Sequence, residues 1–287
     1  MSAILRYKTI FLHQPTLLII MGNQLLAGKK GIIFGALDPT SIAWKVAEKT
    51  QAEGAKLILT NAPVALRMGK IKDLAEQLNA PLVAADATSI DDLNKLLDTA
   101  EEHFGKVDFV LHSIGMSPNV RKKRPYTNLN YSWLDKTYDI SAISFHKIMQ
   151  LLYQRALMNE WGSILGLSYI AAQKTFSEYN DMAEAKALLE SIARSFGYHY
   201  GKKGKVRVNT ISQSPTPTTA GTGVSGFEKM LSYGEKMSPL GNATAEECAD
   251  YCVMMFSDYT RKVTMQNLYH DGGFSSVGIT ADLLEDL

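Results

Sequence analysis

Three residues in one stretch have the types and spacing to do chemistry: Tyr169, Tyr179 and Lys186, within GLSYIAAQKTFSEYNDMAEAKALLE (166–190). A phenol beside a fixed ammonium can donate its proton to a developing oxyanion, because the cation stabilises the phenolate left behind. Tyr179 and Lys186 are seven residues apart. On a helix that is about two turns, which sets them on nearly one face. The apolar run before them, WGSILGLS, predicts a buried strand, and the residues that follow predict a long amphipathic helix. Taken alone, the pattern equally describes a helix with one surface lysine and two tyrosines at the edge of a core.

The elements that would position these groups alternate along the chain. GKKGIIFGA (28–36) predicts a strand ending in a glycine turn, and KLILT (56–60) a second strand. Between them Thr40 or Ser41 can cap a helix with Ile42, Ala43, Val46 and Ala47 on its inner face. This is a βαβ unit of the dinucleotide-binding type. The rhythm continues with a helix over 64–78, a strand at 81–86, a helix at 90–104 capped by Ser89, and a strand at 107–115. Then come a long helix over about 133–158, a strand at 162–168, the Lys186 helix and a strand at 205–212. A capping box, Thr244 with Glu247, opens a last helix to about 257, and TMQNLYHDGG closes the sheet. No internal repeat or linker interrupts residues 21–287. They predict a single-domain α/β fold, a doubly wound Rossmann-type parallel sheet with helices on both faces.

Ligands of such sheets sit beyond the C-terminal strand ends, where glycine lets a phosphate approach the backbone and helix amides face it. Gly35, Ser41 and Ile42 occupy that position after the first strand. Asp86 follows the third strand, where a carboxylate can accept from an adenine amino group, although it could equally cap the next helix. His112, Ser113, Ile114 and Gly115 end the fourth. The G-x-G-x-x-G spacing is absent, since the next glycine after Gly35 is Gly54. At the second strand's end, Thr60-Asn61-Ala62-Pro63 offers no acid, and no arginine occurs before Arg67. That favours NADH without excluding NADPH.

The 287 residues are 46% hydrophobic and 21% charged with a formal net charge of +1, which gives no global field toward nucleic acid or a membrane surface. Two cysteines, Cys248 and Cys252, are too few for a metal site and predict reduced thiols in a cytoplasmic protein. Residues 1–20 predict an extension without a defined role. Their apolar run is broken at His13-Gln14-Pro15, and no span of eighteen apolar residues follows.

Several motifs together resemble the enoyl-acyl-carrier-protein reductases, a divergent branch of the short-chain dehydrogenase/reductases serving type II fatty-acid synthesis. They are GALDPTSIA, the Asp86 strand end, LHSIG, DISAISF, the Tyr169–Lys186 stretch, VRVNTIS-x-x-P and HDGGF, which span about 22–275. The most specific is Tyr-x6-Lys with a second tyrosine ten residues earlier. Tyr198 to Lys202 also satisfies the Tyr-x3-Lys spacing of ketoacyl reductases, but it falls at the far end of the helix and predicts surface. The resemblance implies that Tyr179 hydrogen-bonds the thioester carbonyl, Lys186 holds the nicotinamide ribose, and Tyr169 is the second catalytic tyrosine. It implies Gly35, Ser41 and Ile42 at the pyrophosphate, Asp86 and Ala87 at the adenine, and Ile114 at the adjacent ribose and ring. Thr216, Pro217, Thr218, Thr219 and Ala220 would close over the cofactor, and Ser117 would contact substrate. Departures are Ser214 and Met265 where glycines are usual, Pro217 within a segment that must move, and Ala62 at the adenosine ribose.

The resemblance further implies an acyl carrier protein as partner and a homotetramer. Val224, Phe227, Met230 and Leu231 would face the acyl chain from a lid over about 214–232. Arg121-Lys122-Lys123-Arg124 is either a solvated loop or a surface that steers an acidic carrier. Two other functions stay open on the residues alone: a ketone-reducing relative and a non-catalytic dinucleotide sensor.

Overall fold

The apolar runs become strands that all pair in parallel. They are β1 (Lys30–Phe34), β2 (Lys56–Asn61), β3 (Leu82–Ala84), β4 (Val107–His112), β5 (Met158–Ser168), β6 (Arg207–Gln213) and β7 (Asn267–His270). The computed structural model describes residues 23–224 and 226–281, so the extension predicted at 1–20 lies outside the described residues. The sheet order is β3-β2-β1-β4-β5-β6-β7. It reverses direction between β1 and β4, which opens a crevice at their C-terminal ends.

Near-continuous burial of the central strands follows from helices on both faces. One face is covered by α4 (Ile90–Phe104), α7 (Ser144–Gln154) and α8 (Asp181–Gly204), with Leu93, Phe145, Met149 and Leu189 in its core. The other is covered by α1 (Ile42–Ala52), α3 (Ile71–Gln77) and α10 (Ala245–Phe256), through Trp44, Leu74, Cys252 and Phe256. Both cysteines are free thiols buried there. Ser89 caps α4 by accepting from Asp92 N, and Thr244 with Glu247 forms the predicted box on α10. Each such cap stabilises its helix by about 1 kcal/mol. Arg207 is buried at the base of β6, where its guanidinium donates to the carbonyls of Met255 in the last turn of α10 and of Ser257 and Thr260 beyond it.

Several predicted elements differ in extent, β4 ending at His112 rather than 115 and β5 beginning at Met158 rather than 162. The helix expected over 64–78 is two, α2 (Pro63–Met68) and α3, because the chain corners at Gly69. A Cβ there would lie 2.6 Å from the Leu37 carbonyl oxygen, and Lys70 N donates to that same oxygen at 2.7 Å. The helix expected over 133–158 is α6 (Tyr131–Tyr138) and α7 joined by a π turn at Asp139–Ile143, and it stops at Gln154. Leu157 and Met158 look like its continuation in sequence, yet Ala156 turns left-handed at φ 52° and Met158 starts β5 opposite Val107. The third strand, expected over 81–86, pairs only through Leu82–Ala84, which leaves Asp86 beyond the sheet.

Candidate active site

A cleft of about 550 Å³ runs along the C-terminal strand ends, from Asn61 and Asp86 at one end to Tyr169 and Tyr179 at the other. The glycine turn forms its floor. Gly35 has φ 98°, and a Cβ there would sit 2.0 Å from the Ser113 carbonyl oxygen, so only glycine fits between β1 and β4. Ser41 leads into α1, but its Oγ accepts from Leu37 N and Asp38 N, folding the turn rather than capping the helix. Ile42 follows as the first residue of α1, and both line the cleft. Asp86 does not cap α4. Its Oδ1 accepts from Thr88 N and Thr88 Oγ1, while Oδ2 makes none of the described hydrogen bonds. Ala87, Ile114 and Gly115 continue the lining. A Cβ on Gly115 would lie 3.7 Å from Lys186 Nζ.

Tyr169 directly follows β5 and is buried. Tyr179 is not on the Lys186 helix, which corrects the shared helical face expected from their spacing. It ends a 3-10 turn (Ser177–Tyr179), Asn180 turns the chain at φ 53°, and α8 begins only at Asp181. The corner brings both tyrosines together, with ring centroids 4.9 Å apart at 53°. Lys186 is buried in the second turn of α8, where its ammonium donates to the Leu167 carbonyl at 2.7 Å. Tyr169, Tyr179 and Lys186 all line the cleft. The decoy Tyr198 lies far along α8 and is exposed.

Burial pushes both phenols above their ordinary range, and Tyr179 raises Tyr169 further. They stay protonated at neutral pH, as proton donors must. Burial pulls Lys186 down to about 8, against the opposing attraction of Glu190 one turn on. His112, at the end of β4, is pushed to about 3 by burial and by the Lys186 charge, so it is neutral and leaves Lys186 as the cation there. Its Nε2 is 2.8 Å from Ser144 Oγ.

Thr216, Thr218 and Ala220 line the cleft, whereas Pro217 and Thr219 are exposed and do not. Thr219 instead donates to Asp38 across the cleft mouth. Burial raises the Asp38 carboxyl, but hydrogen bonds from Thr219 and Thr40 outweigh it and hold the group below its ordinary value. Ser214 anchors the base of this segment by accepting from Ala243 N. Beyond it α9 (Phe227–Met237) presents Phe227 and Met230 to the cleft beside Val224; Leu231 does not reach it. Ser117 lines the wall with its hydroxyl proton committed, donating to Asp181 at 2.6 Å while the oxygen accepts from Val120 N. Met265 sits at φ 62°, the conformation for which glycine is usual.

Sequence reasoning missed Asp181, Glu190 and the Leu167 carbonyl. Glu190 was findable, being four residues after Lys186 and therefore beside it on the helix. Ser168 Oγ donates to it at 2.6 Å.

The cleft fits a dinucleotide. The side-chain-free floor at Gly35 and Gly115, and the Asp86 oxygen and two Lys186 N–H groups that make none of the hydrogen bonds among the described residues, stand along its length. Fold and site together define a nicotinamide-dependent reductase of the doubly wound class. Residues 35–275 match the family model described as Enoyl-(Acyl carrier protein) reductase. The chain is 36% identical over 255 residues to Enoyl-[acyl-carrier-protein] reductase [NADH] 2 of Rhizobium meliloti, covering 88% of this chain and 94% of that protein. It is 64% identical to FabI of Alistipes finegoldii, solved as a complex with NADH, with TM-score 0.89 over 90% of this chain and 91% of that one. Enoyl-[acyl-carrier-protein] reductase (NADH) of Aquifex aeolicus matches at 31% identity and TM-score 0.83, covering 89% of this chain and 100% of that one. This chain belongs to the enoyl-acyl-carrier-protein reductase family.

Proposed function

We propose that this chain reduces the trans-2 double bond of enoyl-acyl-carrier-protein thioesters during fatty-acid elongation, using NADH. The observation that carries the reading is the meeting of Tyr169, Tyr179 and Lys186 in one cleft whose floor is a glycine turn at a helix start. When bound, the dinucleotide would supply a hydride to the β-carbon of the enoyl group, and the enolate so formed would take a proton from solvent at its α-carbon. Tyr179 hydrogen-bonds the thioester oxygen, on which negative charge grows in the transition state. A phenol kept protonated by burial is preorganised for that charge and gains most as the charge forms. Lys186 holds the nicotinamide ribose with its unused N–H groups and lowers the cost of the developing anion. Tyr169 packs against the Tyr179 ring and supports its orientation.

Gly35, Ser41 and Ile42 cradle the pyrophosphate, Asp86 and Ala87 the adenine, and Ile114 the adjacent ribose and ring. Thr216, Thr218 and Ala220 close over the cofactor, with Pro217 and Thr219 on the outer side of the segment. Phe227, Met230 and Val224 form an apolar lid for the acyl chain. Ser117 positions its loop through Asp181. Preference for NADH rests on the adenosine end of the cleft, where Asn61, Ala62, Val64 and Ala65 offer no cation to a 2′-phosphate. Among the described residues no helix is long and apolar enough to cross a membrane. We assign the protein to the cytoplasm, as a homotetramer with acyl carrier protein as partner and with no nucleic acid or membrane ligand.

The test is crotonyl-thioester reduction with NADH and NADPH in parallel, beside acetoacetyl thioester. The expected outcome is NADH oxidation with the crotonyl substrate, at least about tenfold slower with NADPH, and none with acetoacetyl. Preference for acetoacetyl would instead favour a ketone reductase. Dinucleotide binding without turnover would favour a sensor.

A further inference from the structure

We infer that the segment Arg121–Arg124, with the cavity behind it, is the docking surface for the acidic, phosphopantetheine-bearing face of the carrier protein. This rests on the reductase reading above. Four consecutive cations ordinarily describe a loop that merely faces water, but here the segment is held in place. Asn119, in the one-turn helix α5 (Pro118–Arg121), is fully buried, donating to Asp181 Oδ2 at 2.9 Å and to Asn130 O at 3.2 Å. Arg124 N donates to Asn119 O at 3.0 Å, and Asn180 Nδ2 donates to Arg124 O at 2.6 Å. Lys123 adopts a left-handed φ of 51°, which fixes the direction of the turn. Both ends of the basic run are thus fastened to Asn180 and Asp181, the two residues after Tyr179.

Among the described residues, none of these four side chains makes a hydrogen bond or ion pair, whereas Lys147 and Arg155 elsewhere on the molecule are both paired. The Nε of Arg124 is buried and lacks a partner. Arg121 reaches the active-site cleft. A second cavity of about 260 Å³ lies behind Lys123 and Arg124, bounded by Ser177, Glu178 and Asn180, and it shares Val120 with the main cleft. Unpaired cations with fixed geometry at the cleft mouth match a polyanionic partner that must thread a phosphate-linked arm inward. The opposite side of the mouth does not offer this field. On α9, Glu228 and Glu235 offset Lys229 and Lys236.

The experiment compares crotonyl acyl carrier protein with the crotonyl thioester of N-acetylcysteamine, which lacks both phosphate and protein, using NADH. Lys122→Glu/Lys123→Glu is expected to lose at least about tenfold in kcat/KM on the carrier substrate, through KM, with the small thioester within about twofold of wild type. Wild-type carrier turnover should fall with added salt, and the variant should lose that dependence. Lys122→Gln/Lys123→Gln should fall between them, and Lys122→Arg/Lys123→Arg should match wild type. Unchanged carrier kinetics in the Glu and Gln variants, or equal losses on both substrates, would overturn the docking surface alone. A wild-type enzyme inert toward both thioesters would overturn the reductase reading, and the docking surface with it.

Discussion

Lys186 is the residue where stability and function oppose each other. Its pKa falls from 10.5 to about 8 because burial disfavours the charge. Between those values the unfolded chain binds more protons than the folded one, so folding stability rises with pH across that window. Below about 8 the full cost of holding a buried ammonium is present, on the order of 3 kcal/mol. Lys186→Met should therefore raise thermal stability at pH 7, flatten the stability profile between about pH 8 and 10.5, and lose NADH affinity. Calorimetric unfolding across pH checks this, and an unchanged profile would contradict it. Tyr179→Phe should lower turnover about a hundredfold, near 3 kcal/mol of barrier, with NADH binding unchanged by titration. The tyrosines and the lysine were legible in the sequence, but the reason given for their proximity was not. Periodicity places Tyr179 on the helix; the left-handed corner at Asn180 that actually delivers it has no periodic signature.

At the level of elements, two contacts hold the site in register, and each offers a test. Gly35→Ala puts a methyl group against the Ser113 carbonyl at 2.0 Å, where neither strand can yield. It should cost about 2 kcal/mol or more in urea unfolding and abolish dinucleotide binding. Arg207→Met should remove the guanidinium donors from the carbonyls of Met255, Ser257 and Thr260, of which Met255 O keeps Ser163 Oγ, destabilising the protein by about 2 kcal/mol with little change in KM. Two of the predicted elements that missed their bounds share one cause. The break at Gly69 answers to Leu37, and the end of α7 answers to the pairing of Met158 with Val107. Both are long-range contacts, which local periodicity does not carry. The capping box on α10 and the Ser89 cap, which are local, came out as read.

For the whole molecule, the alternation of strands and helices was enough to anticipate a doubly wound sheet, and the reversal between β1 and β4 places a crevice where that topology requires one. The absence of an acid or base at the end of β2 was visible in the sequence as well. Its consequence needed the structure, because the Asn61 amide is tied to Ala36 O and Ala62 N rather than left for a ribose. The central claim is that hydride reaches the β-carbon of an enoyl thioester under the control of Tyr179 and Lys186. Mass spectrometry of the product formed from crotonyl thioester and NADH deuterated at its transferable position tests it most directly. The account predicts a butyryl thioester carrying one deuterium on the β-carbon, formed about a hundredfold more slowly by Tyr179→Phe. Deuterium on the α-carbon, or product formed equally fast by the variant, would contradict it.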